Sequence, residues 1–507
     1  MPRRRSRPSV VLAALVAALA LVLSACAGSG STAAGGGSAT LKWASSYFPT
    51  HWDPVVSGSG AQFRELALVY ASLTRTDEKG NAVPDLAESW KYNSTGDEVT
   101  FHLRPELKFS DGTPVNAAAV KAAIERAKTQ KNSALFGDLT SIKSVTTKGE
   151  LDVVVQLTQT DYQIPLLLGQ RVLQIASPKA AADPTTLDQK PVGAGPFIVT
   201  QLIPGTKAVL KRNPDYWDAK NIHIDKVELI SAPDAATVVS GLQTGVYNFA
   251  DITPSNATAA KAAGLDVFVQ PGFNASNISL NVNKAPFNNP KVVDAVRYAV
   301  NRKEFVEKLG FGYGEATDQP FPKDYIAYDP QSADKYPYDP AKSKQLLAEA
   351  GYQPGKIKLT LVIPDAQPAA EIVQSQLAAV GITVDIKVDK NWATPFFAKE
   401  LTLSLYGTTG RDSAVQTLTA HFGPDGPLNL SSPYQPAGFD TAIAKVRQTS
   451  PDSPEYASVL QAATRTGLAS NALIFTYSSP NLLAKSKSIS ALPANPGHID
   501  WTGVKVS

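Results

Sequence analysis

The chain predicts an α/β protein made of more than one interleaved domain, and three observations carry that expectation. Apolar and polar residues alternate with period two at Val99-Thr100-Phe101-His102-Leu103, at Ile278-Ser279-Leu280-Asn281-Val282 and along Ile382–Val388, the pattern of half-buried strands. Helix starts, each with a side-chain oxygen followed by proline, occur at Thr113-Pro114, Asn289-Pro290 and Asp339-Pro340. Residues 358–388 then read as strand, helix (about 367–380) and strand, with Gly381 as the helix stop, which is a βαβ unit. At 507 residues the chain exceeds what one core can hold, and no linker after residue 40 separates independent modules.

Taken from the start, Arg3, Arg4, Arg5 and Arg7 precede an apolar run over residues 10–23, too short for the roughly 18 residues of a spanning helix. Residues 1–25 therefore read as a signal peptide, with the general secretory and twin-arginine routes both open. Leu23-Ser24-Ala25-Cys26 resembles a bacterial lipobox, which implies cleavage before Cys26 and acylation there, palmitate included. The protein would then be anchored to the cell membrane on its extracytoplasmic, periplasmic face. Cys26 is the sole cysteine, so disulfides and thiolate metal sites are excluded. With the lipidated cysteine, residues 26–40 form a Gly/Ser/Ala/Thr tether that reaches roughly 20 Å as flexible coil. The net charge of +3 includes the four leader arginines, so the remainder is near neutral and carries no nucleic-acid footprint.

A first strand at about 41–45 empties into Ser46-Tyr47-Phe48-Pro49-Thr50-His51-Trp52, dense in aromatic and hydroxyl groups. From Pro290 to about Phe305, Val292, Val293, Val296, Ala299 and Val300 fall at helical spacing, so one stripe packs inward.

Specific strings add a further argument. Pro84-Asp85-Leu86-Ala87-Glu88-Ser89-Trp90, Phe101-His102-Leu103-Arg104-Pro105 and Lys108-Phe109-Ser110-Asp111-Gly112-Thr113-Pro114 come first. Pro191-Val192-Gly193-Ala194-Gly195-Pro196-Phe197 and Arg212-Asn213-Pro214-Asp215-Tyr216-Trp217 follow, and the two helix starts at Asn289 and Asp339 continue the order. Together they resemble the extracellular solute-binding proteins, family 5, of the oligopeptide, dipeptide and nickel class, the substrate-binding lipoproteins of ABC transporters. The resemblance implies a bilobal periplasmic-binding-protein-like fold of the class II type, with an additional inserted subdomain in the first lobe. Placed on this chain, lobe I takes residues 41–73, 193–283 and 477–507, the inserted subdomain 74–192, and lobe II 284–476. It also implies hinge closure of the lobes on a ligand, a membrane permease as partner, and a monomer. Trp90, Phe197 and Trp217 are expected at scaffold positions.

The same resemblance sets the function: capture of a solute, by default a peptide or peptide-like one, and delivery to the permease, with no catalysis and no cofactor. Cleft residues are expected where strands end and the chain crosses between lobes. The first wall is Ser46, Tyr47 and His51, and Asn281 stands at a crossing. The second wall is Tyr406, Gly407, Thr408, Thr409, Arg411 and Asp412. In peptide binders of the family that stretch runs glycine, tryptophan, two variable residues, then an aspartate pairing with the ligand ammonium. Here Thr408 and Arg411 hold the tryptophan and aspartate positions, and a register one residue over would restore Asp412. Arg411 in the cleft would favour an anionic or sugar-like ligand. His51, His102, His223, His421 and His498 include no pair at helical metal spacing. Gly310-Phe311-Gly312-Tyr313-Gly314 follows a helix, the wrong context for a dinucleotide loop. Ser57-Gly58-Ser59-Gly60 lacks the nucleophile-elbow pattern. Metal-chelate or haem capture, and a surface lipoprotein without a transport role, remain as alternatives.

Overall fold

A computed structural model describes residues 39–57, 62–232, 234–270, 272, 274–365, 367–408, 413–469, 472–495 and 497–507. The chain divides at Ser38/Ala39, and the leader, Cys26 and the tether lie outside the described residues up to Ser38. No described helix is long and apolar enough to cross a membrane.

Two mixed sheets organise the rest. In the seven-stranded sheet of lobe I the order is Asp266–Gln270, Asn481–Lys485, Phe249–Ile252, Thr40–Ser45, Lys226–Ser231, Lys207–Arg212, Phe197–Ile203. Thr40–Ser45 pairs in parallel with Lys226–Ser231 and Phe249–Ile252. Such interior strands are covered on both faces, and every residue of Phe249–Ile252 is buried. One face packs Leu41, Trp43, Phe249 and Leu483 against Trp501. The other packs Ala44, Ala250 and Ile252 against Val238 and Ala257. Trp43, Phe249 and Trp501 meet at centroid distances of 5.5–5.8 Å, each pair adding about 0.5–1.5 kcal/mol beyond its buried area.

Lobe II is a six-stranded sheet ordered Glu315–Ala316, Leu473–Ser478, Ala275–Leu280, Leu403–Thr408, Ile357–Ile363, Ile382–Val388. The βαβ unit stands as expected: Ile357–Ile363 pairs in parallel with Ile382–Val388, joined by the Pro368–Ala379 helix. Gly381 sits at φ +91, and a Cβ there would come within 3.0 Å of the Pro354 backbone. Helices Pro290–Ala299 and Pro368–Ala379 cover one face, and Ala414–Phe422, Phe439–Gln448 and Tyr456–Leu468 the other.

Between the first two passes through lobe I lies a four-stranded antiparallel sheet, Ala87–Tyr92, Glu98–Leu103, Asp152–Leu157, Ile142–Lys148, backed by the Ala117–Thr129 helix. Asp85, Arg104 and Trp217, from three of the strings quoted above, meet at its border with lobe I. The Arg104 guanidinium lies 3.9 Å from the Trp217 ring centroid, and Trp217 Nε1 donates to Asp85 Oδ1 at 2.8 Å.

Three expectations need correction. Thr113-Pro114 does not start a helix: Thr113 closes a turn on Asp111 Oδ1, and the helix begins at Ala117 under an Asn116 cap. The helix from Pro290 ends at Ala299, because Gln376 of a neighbouring helix accepts from the Asn301 N–H and donates to the Asn301 carbonyl. The lobe boundaries set at 283/284 and 476/477 also move. Ala275–Leu280 and Leu473–Ser478 both pair inside the lobe II sheet, so the chain crosses at residues 271–274 and 479–480.

Candidate functional site

Strand direction decides where the two lobes present their loops. In lobe I, Thr40–Ser45, Lys226–Ser231, Phe249–Ile252 and Asp266–Gln270 run the same way, so their carboxyl ends share one edge. The chain leaves that edge after Gln270, enters lobe II at Ala275, and returns from Ser478 to Asn481. In lobe II, Thr408 and Ser478 both oppose Ala275, which puts the carboxyl ends of Leu403–Thr408 and Leu473–Ser478 beside the crossings. Ile357–Ile363 and Ile382–Val388 end at the same edge. Open α/β sheets bind ligands outside the carboxyl ends of their strands. The crossings are tied to each other: Asn274 Nδ2 donates to Asn481 Oδ1 at 2.8 Å, and the Ser479 N–H to the Asn274 carbonyl at 3.1 Å.

At the lobe I edge, the exposed Ser46 donates its N–H to Asp251 Oδ2 at 3.3 Å, and the Tyr47 N–H donates to Ser45 Oγ at 3.0 Å. The Tyr47 ring, 41% exposed, lies 5.6 Å from the Arg64 guanidinium carbon. Arg64 is buried and pairs with Asp251 at 2.7 Å and Glu65 at 3.4 Å. Burial disfavours the Arg64 charge, but the two carboxylates hold its pKa above the ordinary arginine value. Burial also pushes the Glu65 carboxyl up to about 7, with Asp251 adding to the rise and Arg64 opposing it. Ser45 Oγ donates to Glu65 Oε1 at 2.6 Å, whereas Glu65 Oε2 is buried with no hydrogen-bond partner among the described residues. A charged cluster thus fixes the loop that carries Ser46 and Tyr47. His51 points elsewhere, its half-exposed ring bonding Asp188 Oδ2 at 3.0 Å.

At the lobe II edge Tyr406 stacks on Phe396 (5.4 Å, 15°) beside Trp392 (5.6 Å). Gly407 and Thr408 complete the strand opposite Ser276 and Ala275. Thr409, Arg411 and Asp412 lie outside the described residues. Just beyond them Ser413 caps the Ala414–Phe422 helix, with Ser413 Oγ accepting from the Gln416 N–H and Gln416 Oε1 accepting from the Ser413 N–H, both at 3.1 Å. Gln416 Nε2 reaches across to Asp138 Oδ1 of the inserted subdomain at 3.3 Å, and Arg171 donates to Asp138 Oδ2 at 2.6 Å.

Asn281, like His51, is an expected site residue whose side chain is engaged elsewhere. It is buried, its Nδ2 donates to the Lys399 and Leu401 carbonyls, and its Oδ1 accepts from the Asn283 N–H, so its amide is consumed inside lobe II. Sequence reasoning missed Arg64, Glu65 and Asp251, whose one signal is charge set inside apolar runs. It also missed Trp392 and Phe396, and the line along which the inserted subdomain touches lobe II. There the Tyr456 hydroxyl donates to Gln163 Oε1 at 2.9 Å, the Tyr162 N–H to the Arg447 carbonyl at 2.8 Å, and Arg447 Nε lies 3.6 Å from Asp161 Oδ2. No three described His, Asp, Glu or Cys side chains group as metal ligands.

Comparison with known proteins agrees with this architecture. The profile of the bacterial extracellular solute-binding proteins, family 5 Middle, matches residues 81–429. Heme-binding protein A of Haemophilus influenzae is 29% identical over 446 residues, 78% of this chain and 80% of that one. A glutathione-binding protein of Salmonella typhi is 30% identical over 399 residues, 76% of each chain. The solved structure of HbpA2 from Haemophilus parasuis superposes with a TM-score of 0.77 at 26% identity, over 92% of this chain and all of that one. Two mixed α/β sheets joined by paired crossings, together with these matches, show that the chain belongs to the family 5 extracellular solute-binding proteins, which capture a solute for import by an ABC transporter.

Proposed function

We propose that the captured solute is a peptide or a peptide-like molecule, held between Ser46 and Tyr47 on one side and the Tyr406–Asp412 segment on the other, and passed on chemically unchanged. The observation that carries this reading is the meeting of both carboxyl-end edges at the crossings, with a hydroxyl- and aromatic-bearing loop on one and an aromatic cluster on the other. The glutathione-binding relative, similar over three quarters of both chains, supports a peptide-like ligand. The protein acts as a monomer, as the family resemblance implies, and is anchored through Cys26, the anchor resting on Leu23-Ser24-Ala25-Cys26.

Thermal unfolding against a mixed library of short peptides, glutathione, organic anions and sugars tests the ligand class. A ligand at a hundred times its Kd stabilises by about 2.7 kcal/mol, so a melting shift with peptides or glutathione is expected. Shifts confined to anions or sugars would overturn the peptide reading. Those shifts would favour a second reading, motivated by Arg411 at the position where related peptide binders carry aspartate. In that case Arg411→Ala weakens an anionic ligand by about 1.5–3 kcal/mol. Loss of peptide affinity on Asp412→Ala alone favours the first reading.

A further inference from the structure

A cavity of about 120 Å³ lies in the inserted subdomain beside the Ala117–Thr129 helix, lined by none of the residues assigned to solute capture. Its floor is buried aliphatic carbon from Val55, Leu135 and Leu173. Its mouth lies between Ala122 and Ala123 of that helix and Ala181 of the Pro178–Ala181 helix, all three partly exposed. Alanine is the cause of the space, because two helix faces that carry only methyl groups leave a gap that longer side chains would fill. The polar groups of the lining are committed elsewhere. Arg126 pairs through both of its η nitrogens with the carboxylate of the buried Asp53, and Gln174 Nε2 donates to the Phe63 carbonyl at 3.1 Å. An internal water needs about two to four polar partners, whereas a cavity of about 150 Å³ lined by apolar carbon stays dry and takes up benzene or xenon.

We propose that this cavity is a second binding site, separate from the solute site, that takes one small uncharged apolar molecule of about the size of benzene. The inference goes beyond the peptide reading and does not rest on it. The volume is too small for a peptide and large enough for a single aromatic ring. Asp53 neutralises Arg126, so the lining draws in neither an anion nor a cation. The partly exposed alanines give a guest a way in from solvent. Protein interiors seldom keep voids larger than a water, because empty volume costs stability. An apolar guest restores the dispersion contacts that the alanines leave unmade.

Two probes test the site on the full chain. Crystals pressurised with xenon are expected to hold xenon between Val55, Ala123 and Leu173, which needs no variant. In solution, calorimetry with benzene is expected to show saturable binding at one site. Ala123→Phe and Ala181→Leu fill the cavity from opposite walls. Each is expected to weaken benzene at least tenfold, with melting curves showing that the variant folds, and either folded variant decides. Absence of xenon from the cavity, absence of a saturable benzene heat, or benzene binding undiminished in a folded variant would overturn the site. The peptide reading stands or falls on its own melting screen, whichever way these probes turn out.

Discussion

At Glu65, a buried carboxyl with one oxygen lacking a hydrogen-bond partner among the described residues, charge and proton binding are set by a single neighbourhood of Arg64, Asp251 and Ser45. Its folded-state pKa of about 7 lies above its ordinary value of 4.5. Between those values the folded protein therefore binds more protons than the unfolded chain, and stability falls as pH rises through that window. Glu65→Gln removes the titration. From about pH 5 to about pH 8 wild type should lose roughly 1–3 kcal/mol relative to the variant. Urea midpoints at several pH values measure this, and a constant gap between the two proteins would refute it. The cluster was not legible in the sequence because Arg64 and Glu65 sit in a four-residue helix, too short for periodicity, and Asp251 in a strand buried on both faces. The position of Tyr47 after a strand end was legible, and its ring is 41% exposed there. Asn281 was misread because a polar residue at a strand end has the same pattern whether it faces a ligand or, as here, two carbonyls of its own lobe.

Among the elements, the contact between the inserted subdomain and lobe II gives the sharpest expectation. The Tyr456–Gln163 hydrogen bond joins the inserted subdomain to lobe II, the two parts that the proposed hinge closure would bring together. Tyr456→Phe removes about 1 kcal/mol from the closed form, so it should raise the Kd of every ligand by a similar factor, about fivefold. Calorimetry with two chemically unlike ligands checks this. A loss for one ligand alone would show that Tyr456 touches solute and does not hold the lobes. Strands and capped helices were readable where the cause is local, as with Asn289 and Asp339 accepting from their own first turns. The break at Val300–Asn301 was not, since its cause is Gln376, far along the chain. Ile278 was rightly read as strand, but alternation does not say which sheet a strand joins, and the lobe boundary was misplaced for that reason.

For the whole molecule, anchoring is the property that sequence alone proposes. Cys26→Ala should move the protein from the membrane fraction to the soluble fraction and abolish palmitate labelling, and a variant that stays membrane-bound would refute the anchor. The connectivity of lobe I bears on a different matter, the timing of folding. Asn481–Lys485 is an interior strand, antiparallel to both Asp266–Gln270 and Phe249–Ile252, more than two hundred residues upstream. Pairings of such separation carry a large loop-closure cost and form late. A chain stopped short of Asn481 leaves two unpaired edges where a buried strand belongs. Lobe I therefore completes its sheet only when the carboxyl-terminal residues arrive, and until then the nascent protein has no finished wall on that side with which to grip a solute.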